Sequence, residues 1–285
     1  MTPNGEQQAS VGPSVANALQ EDVGSGDLTA SLIDADTIMG ATIIARESLI
    51  LCGQRWVDEV FAQLDTSVVV DWYVGDGQSA DSGDVICKLT GPARVLLTGE
   101  RTALNFLQTL SATATTTARY VNAIAGTKTR VLDTRKTIPG LRHAQKYAVT
   151  CGGGLNHRVG LYDAILIKEN HIKSAGGIAA AVKSAQQLDA GVLIEVEVET
   201  LDEFRQALAA GAERVLLDNF SLDDLHAAVA INRDSGYLGA ELEASGNITL
   251  DSIREIALTG VDYISTGAIT KNVAAIDLSM LLRID

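Results

Sequence analysis

The spacing of apolar and polar positions changes character partway along the chain. Ahead of Glu100 it runs in short segments. Met39–Arg46, Ser67–Tyr73 and Asp84–Leu89 are rich in β-branched residues and predict strands. Gly75-Asp76-Gly77 and Ser82-Gly83-Asp84 are turn signals, so this half reads as a small sandwich with tight turns. Met1–Ser10 is polar and lacks a basic patch followed by an apolar stretch, and reads as a ragged start. Glu100–Ala125 contains no Gly or Pro and repeats Ala103, Leu104, Leu107 and Leu110 at helical spacing, which predicts one long helix bridging the halves.

Beyond that helix, strand and helix signals alternate. Strands are predicted at Arg130–Thr134, Ala164–Lys168, Leu193–Val198, Arg214–Asp218, Ala240–Ala244 and Tyr263–Thr266, with a helix between each and the next. Thr200-Leu201-Asp202-Glu203, Ser221-Leu222-Asp223-Asp224 and Thr249-Leu250-Asp251-Ser252 repeat one helix start, an N-cap hydroxyl followed by acids, and Glu203 completes a capping box. Repeated βα units imply a parallel sheet covered by helices. Their number suits a closed barrel, and no G-x-G-x-x-G follows a strand at a helix start, which argues against a dinucleotide-binding sheet.

In such a barrel, chemistry sits where strands give way to loops. Here those ends read Asp133-Thr134-Arg135-Lys136, Lys168-Glu169-Asn170-His171, Glu197, Asp218-Asn219, Ser245-Gly246-Asn247 and Ser265-Thr266-Gly267. Nearly every strand ends in a functional group, which points to an enzyme. Glu195, Glu197 and Glu199 alternate with aliphatics and share one face, so they point into the barrel or its mouth unless the strand is a wet edge. Ser245-Gly246-Asn247 and Thr266-Gly267-Ala268 form an adjacent pair of glycine turns ahead of helices, suited to a phosphate; the plain alternative is ordinary loop glycine.

Charge sharpens this picture. The 285-residue chain carries a formal net charge of -14, which disfavours nucleic acid and anionic membranes as partners. Yet between Lys128 and Lys173 stand Lys128, Arg130, Arg135, Lys136, Arg142, Lys146, Arg158, Lys168 and Lys173 against only Asp133, Asp163 and Glu169. A basic segment in an acidic protein suggests a local anion site, with a solvated helix face as the alternative. No apolar run is long enough to span a membrane. Cys52, Cys87 and Cys151 have no metal-ligand spacing, which fits a reduced, cytoplasmic protein. Cys151 has histidines nearby, but a small buried residue is the preferred reading over a nucleophile. Lys168 at a strand end leaves a Schiff-base aldolase as a rival.

Several runs together resemble one family. Asp133–Arg142, Lys146–Val149, Gly152–Gly154, Asn156–Arg158, Leu166–His171, Glu195–Glu197, Leu217–Asn219 and Glu243–Gly246 are similar to the quinolinate phosphoribosyltransferases. So are Glu21-Asp22, Gly26–Thr29 and Gly99–Asn105 in the first half. The resemblance implies an α/β protein of the type II phosphoribosyltransferase kind, an N-terminal α/β sandwich domain plus an incomplete parallel α/β barrel. It places the domains at 1–111 with the bridging helix, 112–270 as catalytic barrel, and 271–285 as a C-terminal helix returning to the first domain.

The same resemblance implies decarboxylating transfer of phosphoribosyl from phosphoribosyl pyrophosphate to quinolinate in NAD biosynthesis, with Mg2+, in a homodimer where Arg101 crosses the interface. Arg101, Arg135, His157, Arg158 and Lys168 would then line the quinolinate pocket, and Lys136 and Lys168 would face the pyrophosphate. Glu197 and Asp218 would hold the ribose hydroxyls and the metal. Thr134 would join the substrate contacts, and Ser245, Gly246, Asn247, Thr266, Gly267 and Ala268 would cradle the 5′-phosphate. Lys136, Lys168, Glu197 and Asp218 form the implied catalytic set. Gln145, where many relatives have Glu, and Lys271, where some have His, depart from the family pattern outside that set. Rivals are a phosphoribosyltransferase for nicotinate or another small acid, which the density of arginine disfavours, and an inactive binding homologue, which the complete set of strand-end residues disfavours.

Overall fold

A computed structural model describes residues 4–234 and 239–283. In chain order the elements begin with α1 (Gly5–Val23), a single 3-10 turn (Ala30–Leu32), β1 (Ile38–Ala45), β2 (Leu49–Ile50) and α2 (Gln54–Leu64). β3 (Val69–Trp72), β4 (Ser79–Ala80), β5 (Val85–Pro92), α3 (Ala93–Ala123), β6 (Arg130–Leu132) and α4 (Arg142–Cys151) follow. The rest is β7 (Ile165–Ile167), α5 (Glu169–Ala175), α6 (Ile178–Gln187), β8 (Ile194–Val198), α7 (Leu201–Ala209), β9 (Arg214–Asp218), α8 (Leu222–Asp234), β10 (Glu241–Ser245), α9 (Ile253–Leu258), β11 (Tyr263–Ser265), α10 (Ala268–Lys271) and β12 (Leu278–Arg283).

Two compact units share these elements. The first is assembled from the chain up to Ala118, Thr137–Gly153 and the stretch from Ile269 on. Its main sheet is antiparallel, in the order β12-β1-β5-β3. The polar start is helical rather than ragged. Asn4 accepts from the Gln7 N–H at 2.9 Å, the Gln7 side chain accepts from Asn4 N–H in return, and Gln7, Val11, Val15 and Leu19 bury one face at four-residue spacing. Only residues 1–3 of it lie outside the described residues.

Two expectations are corrected in this unit. The predicted C-terminal helix is a strand: β12 pairs with β1 from Ala45↔Leu278 to Gly40↔Arg283, and Leu278 and Met280 alternate inward, a period of two that no helix can bury. The long helix α3 starts at Ala93, ahead of Gly99, because that glycine is a packing residue and not a break. A Cβ there would lie 2.6 Å from Cε1 of Phe61 on α2. Hydroxyls on α3 satisfy the backbone beside β2: Thr115 accepts from Ile50 N–H and Ser111 from Cys52 N–H. Cys151 ends α4 buried in this unit's core.

The second unit, Arg119–Lys136 with Gly154–Ala268, holds a wholly parallel six-stranded sheet in the order β6-β11-β10-β9-β8-β7. This is the incomplete α/β barrel. An extended stretch at Leu155 runs beside β6, exchanging backbone hydrogen bonds with Val131 and Asp133. Hydroxyl caps open α7 and α8 at Thr200 and Ser221. Glu203 accepts from Glu199 N–H, one residue before the cap.

Alternate residues of these strands point inward, and the barrel interior is charged. Arg214 on β9 pairs with Glu241 on β10 at 2.7 Å and lies 4.3 Å over the Tyr263 ring, whose hydroxyl donates to Glu241. Glu195, in register with Arg214, and Glu243, one step nearer the strand end than Glu241, are wholly buried. Burial and then neighbouring Glu195 push the Glu243 carboxyl from 4.5 up to about 8, while His157, Ser265 and Arg214 pull the other way. The folded protein therefore keeps a proton that the unfolded chain releases near pH 4.5. Stability is full below that value, falls as pH rises toward 8, and is level beyond it. Glu243→Gln removes this loss. Its melting temperature should match the parent at pH 4 and exceed it at pH 8.5, where the shift corresponds to at most about 5 kcal/mol of unfolding free energy. A pH-independent difference in thermal denaturation would contradict the assignment.

Candidate active site

The strand ends of the second unit surround a cleft of about 260 Å³. Thr134, Arg135 and Lys136 enter from beyond β6, and His157 and Arg158 from the stretch beside it. Lys168 ends β7, Glu197 lies on β8, Asp218 on β9 and Ser245 on β10. Leu166, Leu216, Glu243 and Ser265 complete the wall and floor. Period-two geometry explains the grouping, since Glu197, Asp218 and Ser245 face the same way as Glu195, Leu216 and Glu243 one step deeper. The three glutamates of β8 form a gradient: Glu195 buried, Glu197 half-buried, Glu199 exposed.

Cations dominate the rim. Arg135 and Arg158 are half-buried, and Lys136 and Lys168 are exposed. Burial first, and then Arg135 beside it, lower the pKa of the Arg158 guanidinium, with Glu195, Asp163 and Glu197 opposing. Two guanidinium groups that repel one another across a cleft form a site whose energy falls when an anion enters. Arg158 Nη1 donates to the Ala164 carbonyl at 3.3 Å, which extends the side chain before any ligand arrives. Lys168 contacts the Glu197 carboxylate.

The cleft floor is tightly bonded. Asp133, fully buried, accepts from His157 N–H at 2.9 Å through Oδ1 and from the Asn156 amide at 2.7 Å through Oδ2. Asp163 accepts from Val159 and Gly160 N–H groups and so shapes the turn after Arg158. His157 Nε2 lies 2.8 Å from Glu195 Oε2 and 3.6 Å from Glu243 Oε2.

The two glycine turns differ from one another. Gly246 has φ +101°, and a Cβ there would lie 2.2 Å from Asn219 Oδ1, so the backbone passes directly against the β9 end. Asn247 donates to the same oxygen. The helix expected to follow at once starts only at Ile253, after a turn in which Thr249 and Ser252 bond to each other. At Gly267 a Cβ would meet Lys136 Cδ at 2.8 Å, so this glycine lets the Lys136 side chain lie across the loop. Thr266 bonds to the Ile248 carbonyl and caps Ala268 N–H. Thr266 and Gly267, like Gly246 and Asn247, stand on loops, and Ala268 opens α10; these residues are not among those lining the cleft.

Arg101 stands exposed on α3 in the first unit and is not among the cleft-lining residues. The sequence reading missed Glu243 and the partnership of Glu195 with His157. The signal was present: Glu241 and Glu243 alternate on β10 as Glu195 and Glu197 do on β8. Cys151 belongs to the other unit's core, which removes it as a nucleophile here.

Comparison with known proteins agrees along nearly the whole chain. Residues 27–111 match the model of the quinolinate phosphoribosyl transferase N-terminal domain, and residues 113–281 that of its C-terminal domain. A probable nicotinate-nucleotide pyrophosphorylase (carboxylating) of Bacillus subtilis (strain 168) is 42% identical over 91% of this chain and 89% of its own. A mitochondrial quinolinate phosphoribosyltransferase (decarboxylating) of Nicotiana tabacum is 40% identical, over 94% of this chain and 80% of its own. The solved nicotinate-nucleotide pyrophosphorylase of Francisella tularensis superimposes with a TM-score of 0.93 at 52% identity, covering 99% of this chain and 98% of that one. With both domain models matched in order and the cleft built from the residues that carry the resemblance, the chain belongs to the quinolinate phosphoribosyltransferase family.

Proposed function

We infer that the protein transfers the phosphoribosyl group of phosphoribosyl pyrophosphate to the ring nitrogen of quinolinate and releases nicotinate mononucleotide, pyrophosphate and carbon dioxide, a step of NAD biosynthesis. The observation that carries this reading is the Arg135–Arg158 pair facing one cleft with Lys136 and Lys168 beside it. Quinolinate brings two carboxylates and its cosubstrate several phosphate charges. Arginine matches a carboxylate with a planar fork, and lysine serves phosphate as a compact charge. A Schiff-base aldolase fits poorly, because Lys168 is half-exposed and paired with Glu197, not desolvated in an apolar pocket.

In this reading Arg135 and Arg158 hold the two carboxylates and set the ring nitrogen toward C1 of the ribose. Lys136 and Lys168 draw charge from the departing pyrophosphate. Glu197 and Asp218, hard oxygen donors at neighbouring strand ends, favour the oxocarbenium-like ribose and hold its hydroxyls. The same two carboxylates suit Mg2+, which when bound with the cosubstrate would neutralise the leaving oxygens. The 5′-phosphate lies along Ser245–Asn247 and Thr266–Ala268. Once the nitrogen is alkylated, the C2–carboxylate bond breaks with its electron pair held beside the pyridinium charge, and a proton replaces the lost carbon dioxide.

The assembly is a homodimer in which Arg101 completes the partner's site. Large apolar side chains left in solvent support association: Leu28 is 88% exposed, Leu32 85% and Leu161 73%. The cytoplasm is the proposed compartment, in keeping with three free, buried thiols.

The direct test is quinolinate-dependent release of pyrophosphate, with nicotinate as the control acid; release with nicotinate alone would overturn the substrate assignment. Arg158→Ala should raise the KM for quinolinate far more than that for phosphoribosyl pyrophosphate, since losing half of a charge-assisted pair costs roughly 2–5 kcal/mol. Calorimetry should find weak Mg2+ binding to the free protein and tight binding once phosphoribosyl pyrophosphate is present. Arg101→Ala and Lys168→Ala homodimers should each be nearly inactive. Mixing them after dissociation should restore about a quarter of parental activity, because half of randomly formed dimers are mixed and each mixed dimer has one intact site. Mixed dimers without activity would place Arg101 in its own chain's site.

A further inference from the structure

The buried carboxylate of Glu195 has no role in the reading above and no justification in packing. It has no solvent exposure, and its Oε1 makes no hydrogen bond. A carboxylate in that position costs stability, so its presence calls for a function. Its other oxygen, Oε2, meets His157 Nε2 at 2.8 Å.

The second ring nitrogen of His157 is also committed. Nδ1 accepts the backbone N–H of Arg158 at 2.7 Å. A nitrogen that accepts carries no proton, so Nε2 carries it and donates to Glu195. The backbone N–H of His157 donates to buried Asp133, which fixes the same peptide from the other side. At its far end the Arg158 side chain is tied to the Ala164 carbonyl. Arg158 is therefore held at the root by the imidazole and at the tip by a carbonyl, while Arg135 repels it across the cleft.

We propose that Glu195 is a positioning residue for acid recognition: through His157 it fixes the peptide from which Arg158 reaches the quinolinate carboxylate. In this chain Glu195 Oε2 sets the tautomer, the tautomer makes Nδ1 an acceptor, and Nδ1 orients the Arg158 backbone. His157 works as a strut with both nitrogens occupied. Glu243, 3.6 Å from Nε2, closes the space behind the ring, and Arg214 stands 3.9 Å behind Glu243. An arginine ordered in advance loses less freedom when its ligand arrives, which is where the gain in affinity comes from.

The proposal rests on Arg158 binding quinolinate, and the experiment separates the two ideas. Steady-state kinetics would be measured on Glu195→Leu, Glu195→Gln, Arg158→Ala and the Glu195→Leu/Arg158→Ala double variant of the full protein. Glu195→Leu should raise the KM for quinolinate about tenfold, the worth of one hydrogen bond to a charged group, and leave that for phosphoribosyl pyrophosphate within about twofold. Glu195→Gln, which keeps an oxygen to accept from Nε2–H, should recover most of the loss and serves where the leucine variant folds poorly. In the Arg158→Ala background, Glu195→Leu should add nothing to the quinolinate KM. Nitrogen NMR of labelled histidine should show His157 protonated at Nε2 alone in the parent and in Glu195→Gln, and a mixed tautomer in Glu195→Leu. If Arg158→Ala spares quinolinate, the underlying site reading fails. If Arg158→Ala impairs quinolinate but Glu195→Leu weakens both substrates equally, or adds its full effect to Arg158→Ala, the relay through His157 is wrong.

Discussion

Arg135 and Arg158 face each other across one small cleft, and holding them there is the constraint around which the barrel mouth is organised. Left mobile, two guanidinium groups would swing apart into water, and the site would lose the field that draws in a dianion. The chain prevents this with backbone-level ties. Asp133 anchors the start of the Asn156–Arg158 segment, Asp163 anchors its end, and the Ala164 carbonyl takes the tip of Arg158. Each tie uses a carboxylate or carbonyl with little exposure, where a charge-assisted hydrogen bond is stronger than in water. An acidic chain with net charge -14 thus presents a cleft rimmed by Arg135, Lys136, Arg158 and Lys168, with Asp133 and Asp163 orienting the segment that carries Arg158.

The covalent route between the two arginines explains a second feature. After Lys136 the chain leaves the barrel unit, contributes Thr137–Gly153 to the first unit, and re-enters at Gly154 just ahead of His157. Gln145 secures this stretch within the first unit: its oxygen accepts Ile138 N–H at 2.8 Å, and its amide nitrogen donates to the Thr270 carbonyl at 2.7 Å. Those two positions follow shortly after Lys136 and after the Thr266–Ala268 turn. The amide offers two donors and an acceptor oxygen, and its nitrogen also donates to Thr113 Oγ1 at 3.3 Å in this fully buried location; an ionised glutamate offers no donor. Gln145 is thus a buried packing residue outside the cleft lining.

How much of this was legible in the sequence depended on whether the signal was local. Each barrel strand was found within a few residues, because β-branched runs and hydroxyl caps at Thr200 and Ser221 are read directly from neighbours in the chain. The C-terminal strand was missed because its evidence is not local: Leu278–Arg283 becomes a strand by completing the open edge of β1, over two hundred residues earlier. Gly99 misled for a similar reason, since only the Phe61 ring across from it shows that the helix must run through a glycine. The cleft residues were legible as strand ends. The bond between His157 and Glu195 was not, because it depends on the register that sets β8 beside β9 and on the extended run beside β6.

Several titratable groups of the cleft are already engaged with their neighbours. His157 has both ring nitrogens engaged, Lys168 is paired with Glu197, and Glu243 lies beneath the ring, mostly protonated at neutral pH. Removing a proton from carbon calls for an unoccupied base. Transfer to the ring nitrogen of quinolinate needs none. The nitrogen attacks through a lone pair already exposed, pyrophosphate leaves, and the positive ring then loses carbon dioxide because the electrons released have a cation beside them. What such a reaction asks of a protein is fixed charge and a fixed angle between two reactants. The strand ends carry fixed charge at Arg135, Lys136 and Lys168, and the hydrogen bonds around Arg158 hold its segment in place.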